Sequence, residues 1–405
     1  MTATTSTHPA AMTRDELMAL EDRLQLPTYN KLPIVVDRAE GSWLWDLNGN
    51  KYLDFYGGHC VALLGHTHPR VVKALQEQSK KILFYSNLVY SPVRARATEK
   101  LMRLAPPEMH QVFFCSTGTE ANETALKLAR KATGRGRVVA ADGDFHGRTM
   151  GSLAATSFPK YRAGYEKVFP DTVFVPFGDA EALEQALAHP DGVAAFIIEP
   201  IQSMAGVTTA PASYFRAVRE LCDRAGTKLV FDEVQTGVGR TGTFSISDHF
   251  GMRPDMITLA KSLGSGIPVG AVLVNEAVAS SVSFGDQGTT FGGGMMPMAA
   301  MEATMDALLE DGIMERASII HDRIRDGISS YGGTLRGAGC LIGLEASRPV
   351  GPIVAGLRKE GVIVGGSLDP NVMRLMPPLT ATNEEVDFFI DAFSRVVEPI
   401  LAADA

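Results

Sequence analysis

The sequence predicts an α/β fold, a mostly parallel sheet of seven strands with a smaller α+β part beside it. Three observations lead there. Between about residues 68 and 280, short apolar runs alternate with stretches of helical composition, the pattern of strands joined by crossover helices. At least one run ends in a small Gly/Thr loop and then a helical stretch, a strand–loop–helix unit. The length, 405 residues, allows a large and a small domain, with 45% hydrophobic and 21% charged residues as in an ordinary globular chain.

Taken in order, residues 1–12 are rich in Thr, Ser and Ala and are expected to be a disordered tail. Residues 13–30 read as a short helix, opened by Arg14-Asp15-Glu16-Leu17-Met18, and an arm. Residues 34–55 read as a small antiparallel unit, with Asn48-Gly49 turning Trp43–Asp46 back onto Lys51–Asp54. The seven apolar runs of the main sheet are Gln111–Cys115, Arg137–Ala140, Val173–Val175, Ala194–Ile198, Leu229–Phe231, Met256–Leu259 and Ala271–Val274. A single long helix is expected over 297–330, followed by strands near 341–345, 362–364 and 372–376. This divides the chain into 1–60 (arm and part of a small domain), 61–296 (large domain) and 297–405 (small domain).

A net charge of −8 and the absence of a basic run argue against nucleic acid or an anionic membrane as partner. The four cysteines, Cys60, Cys115, Cys222 and Cys340, show neither a CxxC pair nor metal-ligand spacing, so reduced core thiols and no metal are expected. The N-terminus lacks the blocks of a signal peptide, and no apolar run approaches the roughly 18–20 residues of a membrane span. A cytoplasmic protein is the expectation.

The chemistry concentrates in residues 228–266. Lys228-Leu229-Val230-Phe231 delivers Asp232, and Met256-Ile257-Thr258-Leu259-Ala260 delivers Lys261 into a Ser/Gly loop. A carboxylate and a lone lysine at two strand ends are what a pyridoxal phosphate site needs. The amine bonds the aldehyde, and the acid keeps the pyridine nitrogen protonated so that the ring draws in electrons. Taken singly, each residue could equally be a solvated surface charge. Upstream, Gln111–Cys115 enters Ser116-Thr117-Gly118-Thr119-Glu120 and then a helical stretch. That unit aims backbone N–H groups and a helix dipole at a phosphate, or else is only an N-cap. Gly237-Val238-Gly239-Arg240-Thr241-Gly242 fits GxGxxG, but no strand runs directly into it and no helix follows, which disfavours a dinucleotide site.

These motifs resemble the class III, fold-type I pyridoxal phosphate-dependent aminotransferases, from Gly41-Ser42-Trp43-Leu44-Trp45-Asp46 to Arg374-Leu375-Met376-Pro377-Pro378-Leu379, and among them the acetylornithine aminotransferase group. The resemblance implies that Gly118 and Thr119 hold the cofactor phosphate, Phe145 stacks on the ring, Gln235 bonds the ring oxygen, and Asp232 and Lys261 are catalytic. In Gly288-Thr289-Thr290-Phe291 it implies a homodimer with a shared site, Thr290 reaching the partner's phosphate and Thr289 the substrate. Arg148, Arg374 and Glu199 fall on the substrate side, the two arginines gripping a dicarboxylate such as 2-oxoglutarate at both ends. The implied reaction moves an amino group from an N-acylated diamino acid or another ω-amino donor to 2-oxoglutarate, giving glutamate by a ping-pong course. Two segments depart from the pattern: Gly294-Met295-Met296-Pro297-Met298 stands where relatives have Asn-Pro-Leu, and the other follows Glu199. After Glu199-Pro200-Ile201-Gln202 come Ser203-Met204 where relatives have Gly-Glu, and that glutamate neutralises the C-terminal arginine when an ω-amine enters. An α-amino acid transaminase, or a racemase or epimerase on the same scaffold, therefore stays open.

Overall fold

All seven apolar runs pair edge to edge in the computed structural model, which describes residues 12–402; the expected tail falls almost wholly outside the described residues. The N-terminal region gives the helix Arg14–Leu24 (α1) and strands Val36–Glu40 (β1), Trp43–Asp46 (β2) and Lys51–Asp54 (β3). The helix is closed by a capping box between Thr13 and Glu16 and buries none of its residues. The strands β1–β3 form the anticipated antiparallel unit, its turn pinned by the Asp46 carboxylate, which accepts the Asn48 and Asn50 N–H groups at 2.9 and 2.8 Å.

The main sheet comprises Met109–Cys115 (β4), Val138–Ala141 (β5), Thr172–Val175 (β6), Ala195–Ile198 (β7), Lys228–Asp232 (β8), Met256–Leu259 (β9) and Gly270–Asn275 (β10), in the order β4-β10-β9-β8-β7-β5-β6. Neighbours from β9 to β6 are parallel, and β10 runs antiparallel to both β9 and β4. Helices cover both faces, so the central strands β7, β8 and β9 are buried along nearly their whole length, as their unbroken apolar sequences require. Between β4 and β5 runs the helix Gly118–Thr133 (α2), opened by a capping box of Thr117 and Glu120 and ended at Gly134 in the left-handed region.

The expected helix over 297–330 is two helices, Met295–Glu310 (α3) and Arg316–Ile328 (α4). The break falls at Gly312, whose φ of +61° cannot continue a right-handed helix; a turn over Ile313–Glu315 starts the next one. The largely apolar sequence hid this, because α3 is buried around most of its circumference and its narrow polar strip, Glu302, Asp306 and Glu310, runs on to its last residue. Pro297 lies in its first turn, where a missing N–H costs nothing.

The C-terminal part adds Thr334–Ala338 (β11), Leu341–Glu345 (β12), Val362–Ile363 (β13), Gly365–Gly366 (β14) and Val372–Leu375 (β15), closed by the helix Asn383–Ala402 (α5). Strands β11, β12, β15 and β14 form one sheet, while β13 pairs in parallel with β3, tying the two ends of the chain together. The strands β11 and β14 were not anticipated, since β14 is two glycines and β11 contains a Gly within a half-exposed run.

Candidate active site

The strand ends of the main sheet converge. Asp232 closes β8, Ala260-Lys261 follows β9, Glu199 follows β7, Asp144–Arg148 lie on the loop after β5, and Ser116–Gly118 connect β4 to α2. All five lie at the carboxyl edge, where open α/β sheets place their ligands. All but Asp144, which lies behind the wall, join Asn122, Gln235 and Gly266–Val269 in lining a cavity of about 440 Å³. Lys261 enters it with φ +37°, a left-handed conformation that a lysine adopts only under constraint.

The Asp232 carboxylate is held rigidly. Its Oδ2 accepts Asn122 Nδ2 and lies beside His146 Nδ1, both at 2.7 Å, and its Oδ1 accepts the Val234 N–H at 3.1 Å. Asn122 is fixed in turn by the His146 carbonyl at 2.8 Å and by the Thr258 hydroxyl at 2.7 Å. Burial lowers the proton affinity of Lys261, helped by the charge of Arg374 and opposed by Cys60 and Asp232. Glu199 accepts the Phe145 N–H at 2.6 Å, and burial, reinforced by the charges of Asp144 and Asp232, pushes its pKa up to about 8, so it carries a proton at neutral pH.

Pyridoxal phosphate fits this donor set. The first N–H groups of α2 have no helical partner, and a Cβ on Gly118 would stand 2.9 Å from Val234 Cγ2, so only glycine leaves that backbone bare. Thr119 Oγ1 joins a hydroxyl cluster with Thr149 Oγ1 at 2.8 Å and Ser152 Oγ at 2.6 Å. Gln235 Oε1 is buried with no hydrogen-bond partner among the described residues, an acceptor left for a ring hydroxyl. Half-buried Phe145 stands on the wall as a flat face for a ring. These features could hold a phosphate, a ring and a protonated ring nitrogen at once.

The two arginines occupy different settings. Arg148 is exposed on the cavity wall, its guanidinium 3.6 Å from the Tyr161 ring centroid and 5.5 Å from that of Phe145. Arg374, on β15, is 4% exposed and held by neutral groups: Nε donates to the Gly366 carbonyl at 2.6 Å, Nη1 to Ser203 Oγ at 3.1 Å and Nη2 to Tyr56 Oη at 2.9 Å. No carboxylate lies within ion-pair distance of it among the described residues.

Thr289 and Thr290 do not join this cavity within one chain. Thr289 Oγ1 accepts the Gly292 N–H at 3.3 Å, and Thr290 is exposed beside Phe291, which is 65% exposed and tilted against Phe84. The GxGxxG segment has another use. The side chain of Arg240, fully buried, donates to the Pro377 carbonyl, fastening the C-terminal segment to the large sheet. Reading the sequence missed Asn122, His146, Tyr56 and Ser203 as site neighbours. Asn122 comes just after Glu120, His146 follows Phe145 and Ser203 precedes Met204, all close to residues already singled out, whereas Tyr56 reaches Arg374 only through tertiary contact.

Comparison with known proteins gives a consistent result. The sequence profile described as aminotransferase class-III matches residues 25–397. The chain is 37% identical to the acetylornithine aminotransferase of Methanocaldococcus jannaschii, over 96% of this chain and 100% of that protein. It is 40% identical to that of Methanopyrus kandleri, over 91% and 95%. Among solved structures, the ornithine aminotransferase of Toxoplasma gondii, with pyridoxal phosphate at partial occupancy in its active site, superposes with a TM-score of 0.91 at 28% identity, covering 96% and 95% of the two chains. The acetylornithine aminotransferase of Elizabethkingia anophelis gives 0.83 at 28% identity, covering 96% and 100%.

Proposed function

The chain belongs to the class III aminotransferases, and on that premise we propose that it moves an amino group from an N-acylated diamino acid of the acetylornithine kind, or another ω-amino donor, to 2-oxoglutarate. The product is glutamate, and the two half-reactions share one site in ping-pong order. One observation carries this reading: two arginines, Arg148 and Arg374, near the same lysine and carboxylate, with Arg148 on the cavity wall and Arg374 close enough to bear on the charge of Lys261.

The enzyme is pyridoxal phosphate-dependent. When bound, the cofactor supplies the aldehyde that takes up the amino group and the ring that withdraws electrons from the reacting carbon. Gly118 and Thr119 would hold its phosphate, Phe145 its ring face, Gln235 its ring oxygen and Asp232 its ring nitrogen. Lys261, kept from behaving as a solvated ammonium by burial, takes the proton from the carbon that bears the amine and returns one, as general base and acid. Arg148 takes the distal carboxylate of 2-oxoglutarate in bidentate fashion and Arg374 the carboxylate next to the reacting carbon, so that substrate is held at both ends. Glu199 lies on the substrate side.

A homodimer with a shared site belongs to the same proposal, Thr290 reaching the phosphate and Thr289 the substrate of the partner. Two features support it: both threonines stand outside their own chain's cavity, and Leu88, Tyr90, Phe284 and Phe291 expose between 65% and 110% of their surface. The division at residues 60 and 296 and a cytoplasmic setting are likewise proposed; no helix among the described residues is long and apolar enough to cross a membrane.

A second reading, transamination of an α-amino acid, is favoured by Arg374 itself. With only neutral partners, the guanidinium stays open to a carboxylate in both half-reactions. A panel of donors, with and without 2-oxoglutarate, decides between the two by glutamate formation. Turnover of N-acetylornithine supports the first reading, and turnover of α-amino acids alone supports the second. No glutamate from any donor would overturn both.

A further inference from the structure

Beyond His146, on the side away from Asp232, stands a carboxylate that the reaction above leaves unused. Asp144 and His146 have no exposed side-chain surface, and the Asp232 side chain is 4% exposed. His146 lies between the two acids, its Nδ1 2.7 Å from Asp232 Oδ2 and its Nε2 3.4 Å from Asp144 Oδ2. The second contact is an ion pair rather than a formed hydrogen bond, since Nε2 has no hydrogen-bonded partner among the described residues. Asp144 is anchored elsewhere: Oδ1 accepts Gln202 Nε2 at 2.9 Å and Oδ2 accepts the Ala141 N–H at 3.3 Å. The imidazole is fixed through its backbone, whose N–H donates to Thr156 Oγ1 at 2.9 Å and whose carbonyl accepts Asn122 Nδ2 at 2.8 Å.

A neutral imidazole carries a proton on one nitrogen only. Between two buried carboxylates, the bare nitrogen of either tautomer would turn its lone pair toward a negative charge. We propose that Asp144 is a positioning residue that keeps His146 doubly protonated, so that Nδ1–H always points at Asp232 and Asp232 remains an unprotonated acceptor for the ring nitrogen of the cofactor. The proposal rests on the assignment of Asp232 given above. The remaining titratable neighbours agree with it. Glu199 is protonated at neutral pH and adds no second negative charge, and Lys261 lines the same cavity as Asp232 and bears on its charge. Burial raises the pKa of the Asp144 carboxyl, and the charge of His146 and the Gln202 amide oppose that; with both carboxylates ionised, Asp144, His146 and Asp232 sum to one negative charge, which a protonated ring nitrogen balances. Burial opposes a charged imidazole, but the two carboxylates outweigh it, Asp144 first, and push its pKa up to about 10.

The bland alternative is that Asp144 merely ties its loop to Gln202 and Ala141. Ring-nitrogen protonation separates the two. The holoenzyme labelled with ¹⁵N-histidine is followed by NMR from about pH 6 to about pH 9, the range over which an ordinary histidine loses its proton. Wild type should keep both His146 ring N–H signals throughout. In Asp144→Asn the Nε2–H signal should disappear within that range, the midpoint having fallen by about two pH units or more, while Nδ1–H persists. A single protonated nitrogen in wild type at neutral pH overturns the proposal, as does an Asp144→Asn ring that stays doubly protonated to the top of the range. Should that variant not fold, the wild-type spectrum alone decides. Removing the cofactor tests the underlying assignment separately. If Asp232 faces the ring nitrogen, the Nδ1–H signal shifts; if it does not, both signals stay where they were.

Discussion

Met204→Glu tests what governs the choice of substrate. Met204 follows Ser203, whose hydroxyl lies 3.1 Å from Arg374 Nη1, so a carboxylate introduced there is placed to compete for the guanidinium. At about 4 Å and an effective dielectric constant near 20, the attraction is on the order of 4 kcal/mol. Desolvating the new carboxylate beside a buried arginine takes back much of it, leaving about 1–2 kcal/mol. Each 1.4 kcal/mol is a factor of ten in affinity, so KM for glutamate should rise roughly ten-fold. The ω-amine, which needs no carboxylate at Arg374, should gain in kcat/KM. Relative to the variant, wild type should bind glutamate more tightly and use N-acetylornithine less efficiently. The assay is initial-rate kinetics with the two donors against 2-oxoglutarate, with a thermal melt to show that the variant folds. If a folded variant leaves KM for glutamate unchanged, or if both donors move in the same direction, Arg374 is not the carboxylate site. If wild type turns over N-acetylornithine efficiently, the missing glutamate is not a specificity switch.

Substitutions at three other positions bear on the site. Lys261→Ala should keep the fold, measured by melting temperature, and lose turnover by a factor of thousands or more, since proton transfer alone is worth about 10²–10⁴; retained turnover would remove the lysine from the mechanism. Asp232→Asn should slow proton abstraction more than Asp232→Glu, because the amide carries no charge to hold the ring nitrogen protonated; rapid-mixing kinetics showing equal or reversed effects would exclude Asp232 as that partner. Glu199 has a folded pKa raised from 4.5 to about 8, so its contribution to stability is present below about pH 4.5 and is lost as pH rises through about 8. Glu199→Gln should therefore flatten the decline in unfolding free energy between pH 5 and pH 8 by up to about 1.4 kcal/mol per pH unit. Denaturant titrations at the two ends measure it, and an unchanged slope would mean that Glu199 is ionised in the fold.

The sequence made the sheet legible because its inner strands are buried on both faces, leaving unbroken apolar runs bounded by loop residues. It failed where local signals conflict with tertiary placement. The stop at Gly312 is hidden inside an apolar pattern, and Gly365–Gly366 gains its pairing only from the adjacent β15. The site residues on strand ends and in Gly/Thr loops could be picked out because their chemistry sits next to recognisable punctuation. The environment of Arg374 could not, since Tyr56, Ser203 and Gly366 arrive from three separate parts of the chain. The absence of a counter-charge there was foreshadowed by Ser203-Met204, but the neutral groups that replace it needed the fold. Nor does any spacing reveal that Asp144, on a loop, and Asp232, at the end of β8, face one imidazole.

The central claim is that Lys261 carries the cofactor opposite Asp232. Borohydride reduction of the purified enzyme, followed by proteolysis and mass mapping, tests it directly. The account predicts that the yellow colour is lost and that the reduced cofactor is found on the peptide containing Lys261 and on no other. A colourless protein with every lysine unmodified, or an adduct fixed on a different lysine, would contradict it.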